Sequence, residues 1–598
     1  MAGLALRRSQ FITTYGPGAI LEGPSGPRII PALENSGVFT PDRPIHAFEI
    51  TDSRLSSALL GGASIVRLPS NAELNLSEAW KVYNTIPFPT WALCTLHHIL
   101  YLKRQGSGNP NRACPRCDPL RDENAAWQRV HQQAIRFIMA CPNGHLDDVN
   151  WTDIFQHRNQ CSRPLYLRWE GGGSSLRNID IECPECHRGI NLGVAYGREW
   201  HCSGRLPERN IRYEQCDAEA KIIQRGAANL RIPELFSSLT IPPADTRLHR
   251  LLQSGTVRTL LDAGLVTTKE RLLEALQRLV ATGRVGPALV VELERFDDRA
   301  IEEAIAQICS ERLPQNNRTL RLQEFEALRR AALEGAPAIP SSTRIGPPQF
   351  EVIRQDVHEC RGPGGHLLRV TPISRLRVVM VQTGYRRLDP LQGRVVDIVY
   401  TDDEHRRWYP GVELSGEGIF IDLAPSTELD GYHFDLHESR TWLDAWRDPD
   451  GYHQRIQNED RDYLHPVFVW WHTFAHRLIN ALSIDSGYSS AAVRERVYID
   501  INEASGRARG GVLLYTVQPG GDGTLGGMMA LAAGFDRVLR AALTTIDSCS
   551  NDPLCSEMQF GDERYNGSAC YACLLVSETS CEHRNTRLDR TLLKENLP

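Results

Sequence analysis

The sequence predicts a multidomain α+β protein in which part of the fold is held by zinc. Three observations carry this prediction. The chain has 598 residues, which is enough for roughly three to five domains. Sixteen cysteines fall mostly into short pairs. The spacing of hydrophobic residues also changes along the chain, from irregular to helical and then to a mixture of strand and helix.

Composition divides the chain into five predicted domains. Residues 1–93 form a glycine- and proline-rich N-terminal domain, and residues 94–230 form a zinc-ribbon-like region dense in cysteine, histidine and tryptophan. A helical domain is expected at 231–345 and a β-rich segment at 346–465. Residues 466–598 are predicted to form an α/β domain that ends in a four-cysteine zinc tail.

Hydrophobic periodicity justifies the elements in each part. A helix at 125–139 and a strand at 165–169 are expected between the cysteine pairs. Leucines at helical spacing from 248 to 279 predict the helices of the middle domain. Prolines and glycines between 335 and 348 mark its end.

The β-rich segment and the last domain follow from β-branched residues and apolar runs. Strands are predicted at 377–381 and 394–400. The last domain is expected to alternate helix and strand, with the elements at 466–482, 496–501, 511–517 and 526–545.

The first candidate metal site joins two short cysteine motifs. Cys94 and His97 are followed by Cys114 and Cys117. A C-x-x-C turn points two thiolates at one position, and two such turns supply the four ligands of a zinc ribbon. His98 is an alternative to His97, because the turn decides which ring faces the metal.

The second candidate site begins with the pair Cys183 and Cys186. We expect Cys202 and Cys216 to complete it. This second half is not a tight turn, so Cys161 and His201 remain alternative ligands.

A separate motif, Cys-Pro-Asn-Gly-His, lies between these two sites. Cys141 and His145 can supply ligands to either site, or hold a third metal with Cys161. A packed turn without metal is the remaining interpretation, with an unusual φ at Gly144 and a hydrogen bond from His145 to the backbone.

The end of the chain carries a further set of cysteines. We predict a closed site of four thiolates formed by Cys555, Cys570, Cys573 and Cys581. Cys549 is a possible substitute for Cys555. Four protein ligands leave no position for water, so this site is expected to be structural.

Two histidines one helical turn apart, His472 and His476, can face the same ligand. Zinc proteases need glutamate directly after the first histidine, and Thr473 occupies that position. Two packed histidines are therefore the favoured interpretation. The alternative is a metal-dependent nuclease or phosphodiesterase that also uses acids such as Asp485 and Asp500.

Other catalytic signatures are missing from the sequence. It has no G-x-S-x-G elbow, no Walker A loop and no H-x-K motif. The glycine-rich loop at 518–527 fits either an anion or partner contact or a structural turn. We therefore expect no enzymatic activity from this chain, and no catalytic or cofactor-binding residues besides the metal ligands.

Charge and hydropathy limit the partners. The net charge is −6, so no global basic field draws the chain to nucleic acid. The sequence has neither a secretory signal nor an apolar membrane span, and a cytoplasmic protein without membrane contact is expected. In that reducing compartment, paired cysteines are more often metal ligands than disulfides. Arginines near the cysteine pairs are candidates for DNA phosphate contacts, namely Arg104, Arg112, Arg116, Arg188 and Arg205.

Several short motifs are shared with a known family. They are RRSQ at 7–10, YGPGA at 15–19, CPNGH at 141–145, RGAAN at 225–229, HTFAH at 472–476 and CYAC at 570–573. Together they resemble the DrmB family, a core subunit of the bacterial DISARM anti-phage defence system. The last domain also resembles the zinc-binding domain of unknown function at the end of MrfA-type repair helicases.

The resemblance implies a fold, a ligand set and a partner. It places the family's zinc ligands at Cys555, Cys570, Cys573 and Cys581. It implies a phospholipase D-like last domain, inactive here because H-x-K is absent, and it leaves His97 where the family often has cysteine. It also implies a DrmA-like superfamily 2 helicase as partner, which supplies the ATPase activity while the pair engages DNA.

The expected function is therefore a non-catalytic, zinc-bearing subunit that helps a helicase bind foreign DNA. The metal-dependent nuclease centred on His472 and His476 is the alternative from another class. A third hypothesis is an adaptor that binds only protein.

Overall fold

The computed structural model describes most of the chain between residues 6 and 598. The residues outside the description are 24–25, 36–44, 77–82, 104–113, 118–130, 174, 210–211, 242–246, 254, 311–312, 337–348, 403–404, 425–435, 437–438, 449–460, 487–488, 490, 519–526 and 562–564. The chain forms two compact units, each assembled from separate stretches of sequence. The first comprises residues 1–49, 66–236 and 381–412, and the second comprises 50–65, 237–380 and 413–598.

The first unit is built mainly from short antiparallel strands. A helix at Arg8–Thr13 precedes a three-stranded sheet in the order Ile20–Gly23, Gly26–Ile29 and Ile86–Pro87. A six-stranded sheet follows, in the order Gly189–Asn191, Ile179–Glu182, Tyr166–Gly171, Ile99–Leu102, Trp91–Cys94 and Gln132–Ala134.

A four-stranded sheet of the same unit has cysteines directly after two of its strands. Its order is Leu146–Asp148, Phe137–Ala140, Glu219–Gln224 and Glu199–His201. Phe137, Trp151 and Leu167 are fully buried in the core between these strands.

One predicted element of this unit is wrong. The expected helix at 125–139 is replaced, where it is described, by the strands Gln132–Ala134 and Phe137–Ala140. Phe137–Ala140 is paired on both sides, so its backbone hydrogen bonds go to neighbouring strands. The predicted strand at 165–169 agrees with Tyr166–Gly171.

The second unit contains the helical stretch expected from the leucine spacing. Leu252, Leu272 and Leu276 are fully buried in a cluster of their own. Thr268 caps the third helix, because its side chain accepts a hydrogen bond from the Arg271 amide. The helices are Arg247–Gln253, Gly255–Asp262, Lys269–Ala281, Pro287–Glu294, Asp298–Ser310 and Asn317–Glu334.

Long strands dominate the remainder of the second unit. Val493–Asn502 and Arg507–Gln518 form an antiparallel hairpin, with Val497 opposite Val512. The main path of the sheet is Ile232–Leu239, Leu367–Arg386, Arg407–Leu423, Arg507–Gln518 and Val493–Asn502.

The helix Pro466–Ser486 is the centre of the second unit's core. Phe468, Trp471 and Phe474 are fully buried, and so are most of their helical neighbours. A helix that is apolar on every face is expected to be buried on every face. It packs against the hairpin and against Phe535–Leu543.

The remaining helices of this unit are short. The helix expected at 526–545 is divided into Gly527–Ala532 and Phe535–Leu543, and Gly534 precedes the second part. After residue 423, the structure also describes the α-helices Arg440–Arg447 and Arg590–Glu595.

The two-unit arrangement bears out a multidomain mixture of helix and strand. The phospholipase D-like fold and the five domain boundaries stay predictions. Among the helices that are described, none combines the length and the apolar character needed to cross a bilayer.

Candidate metal centres

Cysteine, histidine and glutamate side chains converge at five places in the described part of the chain. At each place, four candidate ligand atoms lie within 4.8 Å of one another. The five sets are Cys94, His97, Cys114 and Cys117; Cys141, His145, Cys202 and Cys216; His157, Cys161, Cys183 and Cys186; Cys549, Cys555, Cys570 and Cys573; and His472, His476, Glu495 and Cys581.

The first set contains the four residues predicted for it. Cys94 ends the strand Trp91–Cys94, and the turn that follows carries His97. His97 Nδ1 lies 3.6 Å from the Cys94 sulfur, 3.8 Å from that of Cys114 and 3.6 Å from that of Cys117. Tetrahedral zinc requires about 3.6 Å between nitrogen and sulfur ligands. His97, rather than His98, faces the cysteines.

The chemistry of the first set also fits a cation. Burial raises the pKa of the Cys114 thiol to about 12, so a thiolate there needs a positive charge beside it. The Gln132 side chain donates to the Cys117 sulfur over 3.3 Å, which orients that ligand.

The second set joins the CPNGH motif to the predicted pair Cys202 and Cys216. His145 Nδ1 lies 3.4 Å from the Cys141 sulfur and 3.5 Å from the Cys202 sulfur. The Cys141 and Cys216 sulfurs are 4.0 Å apart. On the other side of the ring, His145 Nε2 lies 3.3 Å from a Glu214 carboxylate oxygen, a contact typical of metal-ligating histidines.

The third set corrects the predicted grouping of the second site. Cys183 and Cys186 do not lie with Cys202 and Cys216; they lie with His157 and Cys161. His157 Nδ1 is 3.2 Å from the Cys161 sulfur and 3.4 Å from the Cys186 sulfur. The Cys161 and Cys183 sulfurs are 3.7 Å apart.

Strand pairing explains the correction. Cys202 follows the strand Glu199–His201, which pairs with Glu219–Gln224; that strand pairs in turn with Phe137–Ala140, and Cys141 comes next in the chain. Cys183 follows Ile179–Glu182, a strand of the six-stranded sheet. His157 was not predicted as a ligand, although its H-x-x-x-C spacing to Cys161 was a usable signal in the sequence.

The fourth set corrects the predicted C-terminal site. Cys549 is a member together with Cys555, not a substitute for it, and Cys581 lies elsewhere. The Cys570 sulfur is 3.4 Å from that of Cys549 and 3.7 Å from that of Cys573. The Cys555 and Cys573 sulfurs are also 3.7 Å apart, where tetrahedral zinc requires about 3.8 Å.

The histidine pair, which was expected to pack without metal, lies in the fifth set. His472 and His476 are fully buried and face Glu495 and Cys581. Burial lowers the pKa of His472. Of the acids suggested for a nuclease, Asp500 is not in this set and pairs with Arg509 over 2.8 Å. The Asp485 side chain lies outside the described residues.

The arginines proposed as DNA contacts differ in their exposure and in their ion pairs. Arg116 and Arg188 are exposed, each within two residues of a metal-set cysteine. Arg205 pairs with Asp147 over 2.6 Å. Arg104 and Arg112 lie outside the described residues, as does most of the glycine-rich loop at 518–527.

Together, the fold and the ligand sets define a mixed helix-and-strand protein with zinc-type centres. Residues 474–574 match the model of the MrfA Zn-binding domain. Residues 7–232 match a domain of unknown function, DUF8724. The cysteine-rich sets and the zinc-domain match confirm zinc as the cofactor.

The particular relative is a defence protein. Over 556 residues, the chain is 29% identical to the DISARM protein DrmB of Bacillus paralicheniformis, with 87% of this chain and 90% of that protein covered. The resemblance to DrmB is thereby confirmed.

A solved structure was also matched, the crystal structure of the DUF1998 helicase MrfA bound to DNA. Its identity is 11% and its TM-score 0.18, over 39% of this chain and 22% of that one.

Proposed function

We propose that this chain is a non-catalytic subunit of a bacterial DISARM-type defence complex in the cytoplasm. It associates with a DrmA-like superfamily 2 helicase and helps that helicase hold foreign DNA. The observation that carries the proposal is the similarity to a DISARM protein along nearly the whole of both chains.

The geometry of the metal sets supports a non-catalytic role. Each set offers four protein ligands, and a catalytic zinc needs an open position for water or substrate. The histidine pair that the nuclease hypothesis requires is fully buried, out of reach of a phosphodiester. The zinc ions therefore hold loops in place, and ATP-driven work belongs to the partner.

Exposed arginines beside rigid metal turns support a role in DNA binding. Arg116 lies inside the Cys114–Cys117 turn, and Arg188 follows Cys186. A guanidinium on a metal-fixed turn loses little freedom when it contacts a phosphate. The net charge of −6 weakens binding by the isolated chain, so the helicase must supply much of the affinity.

The test is a comparison of DNA binding by the helicase with and without this subunit. The two chains should co-purify, and the complex should bind duplex DNA more tightly than the helicase alone, with a steeper salt dependence. Unchanged DNA affinity in a stable complex would instead identify a protein-only adaptor. Incubation of the purified subunit with DNA and Mg²⁺ or Mn²⁺ tests the nuclease, which requires cleavage that His472→Ala abolishes.

Single substitutions test the DNA surface. Arg116→Ala and Arg188→Ala should each lower the salt slope of the complex by about 1 if the side chain contacts a phosphate. Arg278→Ala is the matched control, because Arg278 is 84% exposed on the helix Lys269–Ala281, which contributes no residue to the metal sets. Equal effects of all three substitutions would remove these two arginines from the interface.

A further inference from the structure

The fifth ligand set brings together three separate segments of the second unit. His472 and His476 lie one turn apart on the helix Pro466–Ser486, Glu495 lies on the strand Val493–Asn502, and Cys581 lies in the loop before the last helix. The two histidines and the glutamate are fully buried, and Cys581 is 5% exposed. Four polar side chains with no access to solvent must satisfy one another or a bound ion.

The distances between the ligand atoms are those of a small coordination site. Glu495 Oε1 lies 2.9 Å from His472 Nε2 and 3.2 Å from His476 Nε2. His472 Nε2 is 3.3 Å from the Cys581 sulfur. Tetrahedral zinc places its nitrogen and oxygen ligands about 3.4 Å apart and its nitrogen and sulfur ligands about 3.6 Å apart. A movement of a few tenths of an ångström therefore converts this set into a zinc site.

The other nitrogen of each histidine assigns the tautomer. His472 Nδ1 lies 3.3 Å from the Arg587 carbonyl oxygen, and His476 Nδ1 lies 2.9 Å from the Leu574 carbonyl oxygen. A carbonyl only accepts, so each Nδ1 carries the proton and each Nε2 of a neutral ring presents a lone pair. Both lone pairs face a carboxylate oxygen, which also only accepts. A cation between these atoms resolves that conflict.

The contacts of Glu495 and Cys581 also indicate a bound cation. Glu495 Oε2 is buried and has no hydrogen-bond partner among the described residues. The Cys581 sulfur accepts a hydrogen bond from the Asn585 amide over 3.2 Å, which orients this sulfur within the ligand set. A buried carboxylate with one unsatisfied oxygen is costly unless a cation neutralises it.

We propose that His472, His476, Glu495 and Cys581 bind a fifth zinc ion, separate from the four-cysteine site nearby. Two neutral imidazoles, one carboxylate and one thiolate balance the charge of a divalent ion. Imidazole and thiolate favour zinc over magnesium or calcium. With four protein ligands the site is closed, so its role is to fasten the helix, the strand and the C-terminal loop together.

Metal content of the full-length, reduced protein tests the proposal. Native mass spectrometry should find five zinc ions per chain, one for each ligand set. Cys581→Ser and Glu495→Gln should each remove one of them. Cys573→Ser should remove one ion from the four-cysteine site, and the double variant C573S/C581S should remove two. The matched control is His465→Gln, because His465 is buried in the same unit but lies outside the five sets, and this variant should keep all five.

Thermal stability of Glu495→Gln provides a second readout that distinguishes a metal site from a hydrogen-bond network. In a metal-free network, the glutamine amide would donate to a histidine lone pair, and Tm would rise or stay the same. In a zinc site, a charged ligand is lost, and Tm falls together with the zinc content. Unchanged zinc content in Cys581→Ser or in Glu495→Gln would overturn the proposal. A loss of two zinc ions from C573S alone would also overturn it.

Discussion

The Cys581 sulfur lies 3.3 Å from His472 Nε2 and not among the four cysteines that precede it. The last cysteine of the tail thus belongs to a second ligand set, together with side chains of the core helix and the hairpin. Cys549 takes its place in the four-cysteine set, and the sulfur of Cys549 is 3.4 Å from that of Cys570. Two neighbouring centres therefore replace the single one that the sequence predicts.

The new position of Cys549 makes the first prediction. Cys549→Ser should lower the zinc content by one ion per chain, because it removes one of four thiolates. Cys360→Ser is the control, since Cys360 is another cysteine of the second unit but donates to Asp536 over 3.0 Å and lies outside the ligand sets. Metal analysis of both variants checks this. A Cys549→Ser protein with its full zinc content would contradict the assignment.

Double substitutions test the corrected grouping in the first unit. Cys161→Ser with Cys183→Ser should remove one zinc ion, because both cysteines belong to one set. Cys183→Ser with Cys202→Ser should remove two, because those cysteines belong to different sets. The grouping predicted from sequence requires only one ion to be lost in the second case. Zinc counts by native mass spectrometry separate the two arrangements.

The sequence was sufficient to predict which residue types form the centres, but not how they are grouped. The first site was predictable because short turns hold Cys94 near His97, and Cys114 near Cys117. The second and third sites were not, because strand pairing joins Cys141 to Cys202, and no local spacing encodes that pairing. Closeness in sequence suggests that neighbouring cysteines share a metal site, whereas strand pairing determines which cysteines lie together in the fold.

In other parts of the fold, too, local spacing predicted some elements, while contacts between distant residues determined others. The leucine spacing predicted the helices around Leu272 and Leu276, since a local period of 3.6 residues determines their buried face. The stretch around Phe137 was predicted as a helix and is a strand, since its partners at 146–148 and 219–224 are distant in sequence. Glu495 was not singled out as a ligand, because it stands between two arginines in the strand Val493–Asn502 and belongs to no metal-binding motif in the sequence.

A buried ion network supports a stability prediction. Arg496 donates from Nε and Nη2 to the two carboxylate oxygens of Glu324 over 2.7 and 2.9 Å, and from Nη1 to Glu582 over 3.0 Å. Arg496 and Glu324 are fully buried. Arg496→Met leaves the buried Glu324 carboxylate without its cationic partner, whereas Glu582 keeps Arg321 over 2.8 Å. The loss should lower the free energy of unfolding by about 3–5 kcal/mol. Urea denaturation measures the change.

The control for this network is Arg440→Met. Arg440 is 94% exposed, so its replacement should change the free energy of unfolding by less than about 0.5 kcal/mol. Glu324→Gln in the Arg496→Met background should recover part of the loss, because it removes one uncompensated charge. An Arg496→Met protein as stable as Arg440→Met would show that the network contributes little.

Asp148 makes the stability of the first unit depend on pH. Burial raises the pKa of this carboxyl to about 6, although it accepts hydrogen bonds from the Thr90 amide and hydroxyl over 2.8 and 2.7 Å. Its folded pKa exceeds its unfolded value, so the folded state binds the proton more tightly. Stability from this group is therefore present at low pH and lost as pH rises through about 6.

Asp148→Asn keeps an acceptor for the Thr90 amide and removes the ionisation. The variant should gain about 1–3 kcal/mol relative to the unmodified protein at about pH 8, and about half of that gain at about pH 5. Comparing the two proteins at each pH cancels the protonation of metal ligands that both share. A difference that does not grow with pH would show that the Asp148 carboxylate is not penalised by burial.

Zinc content of the unmodified, fully reduced chain is the most direct test of the account. Native mass spectrometry should find five zinc ions per folded chain, with the four in the cysteine-rich sets retained when Cys581 is replaced by serine. A folded chain that carries fewer than the four zinc ions of the cysteine-rich sets would contradict the claim that metal holds these loops in place.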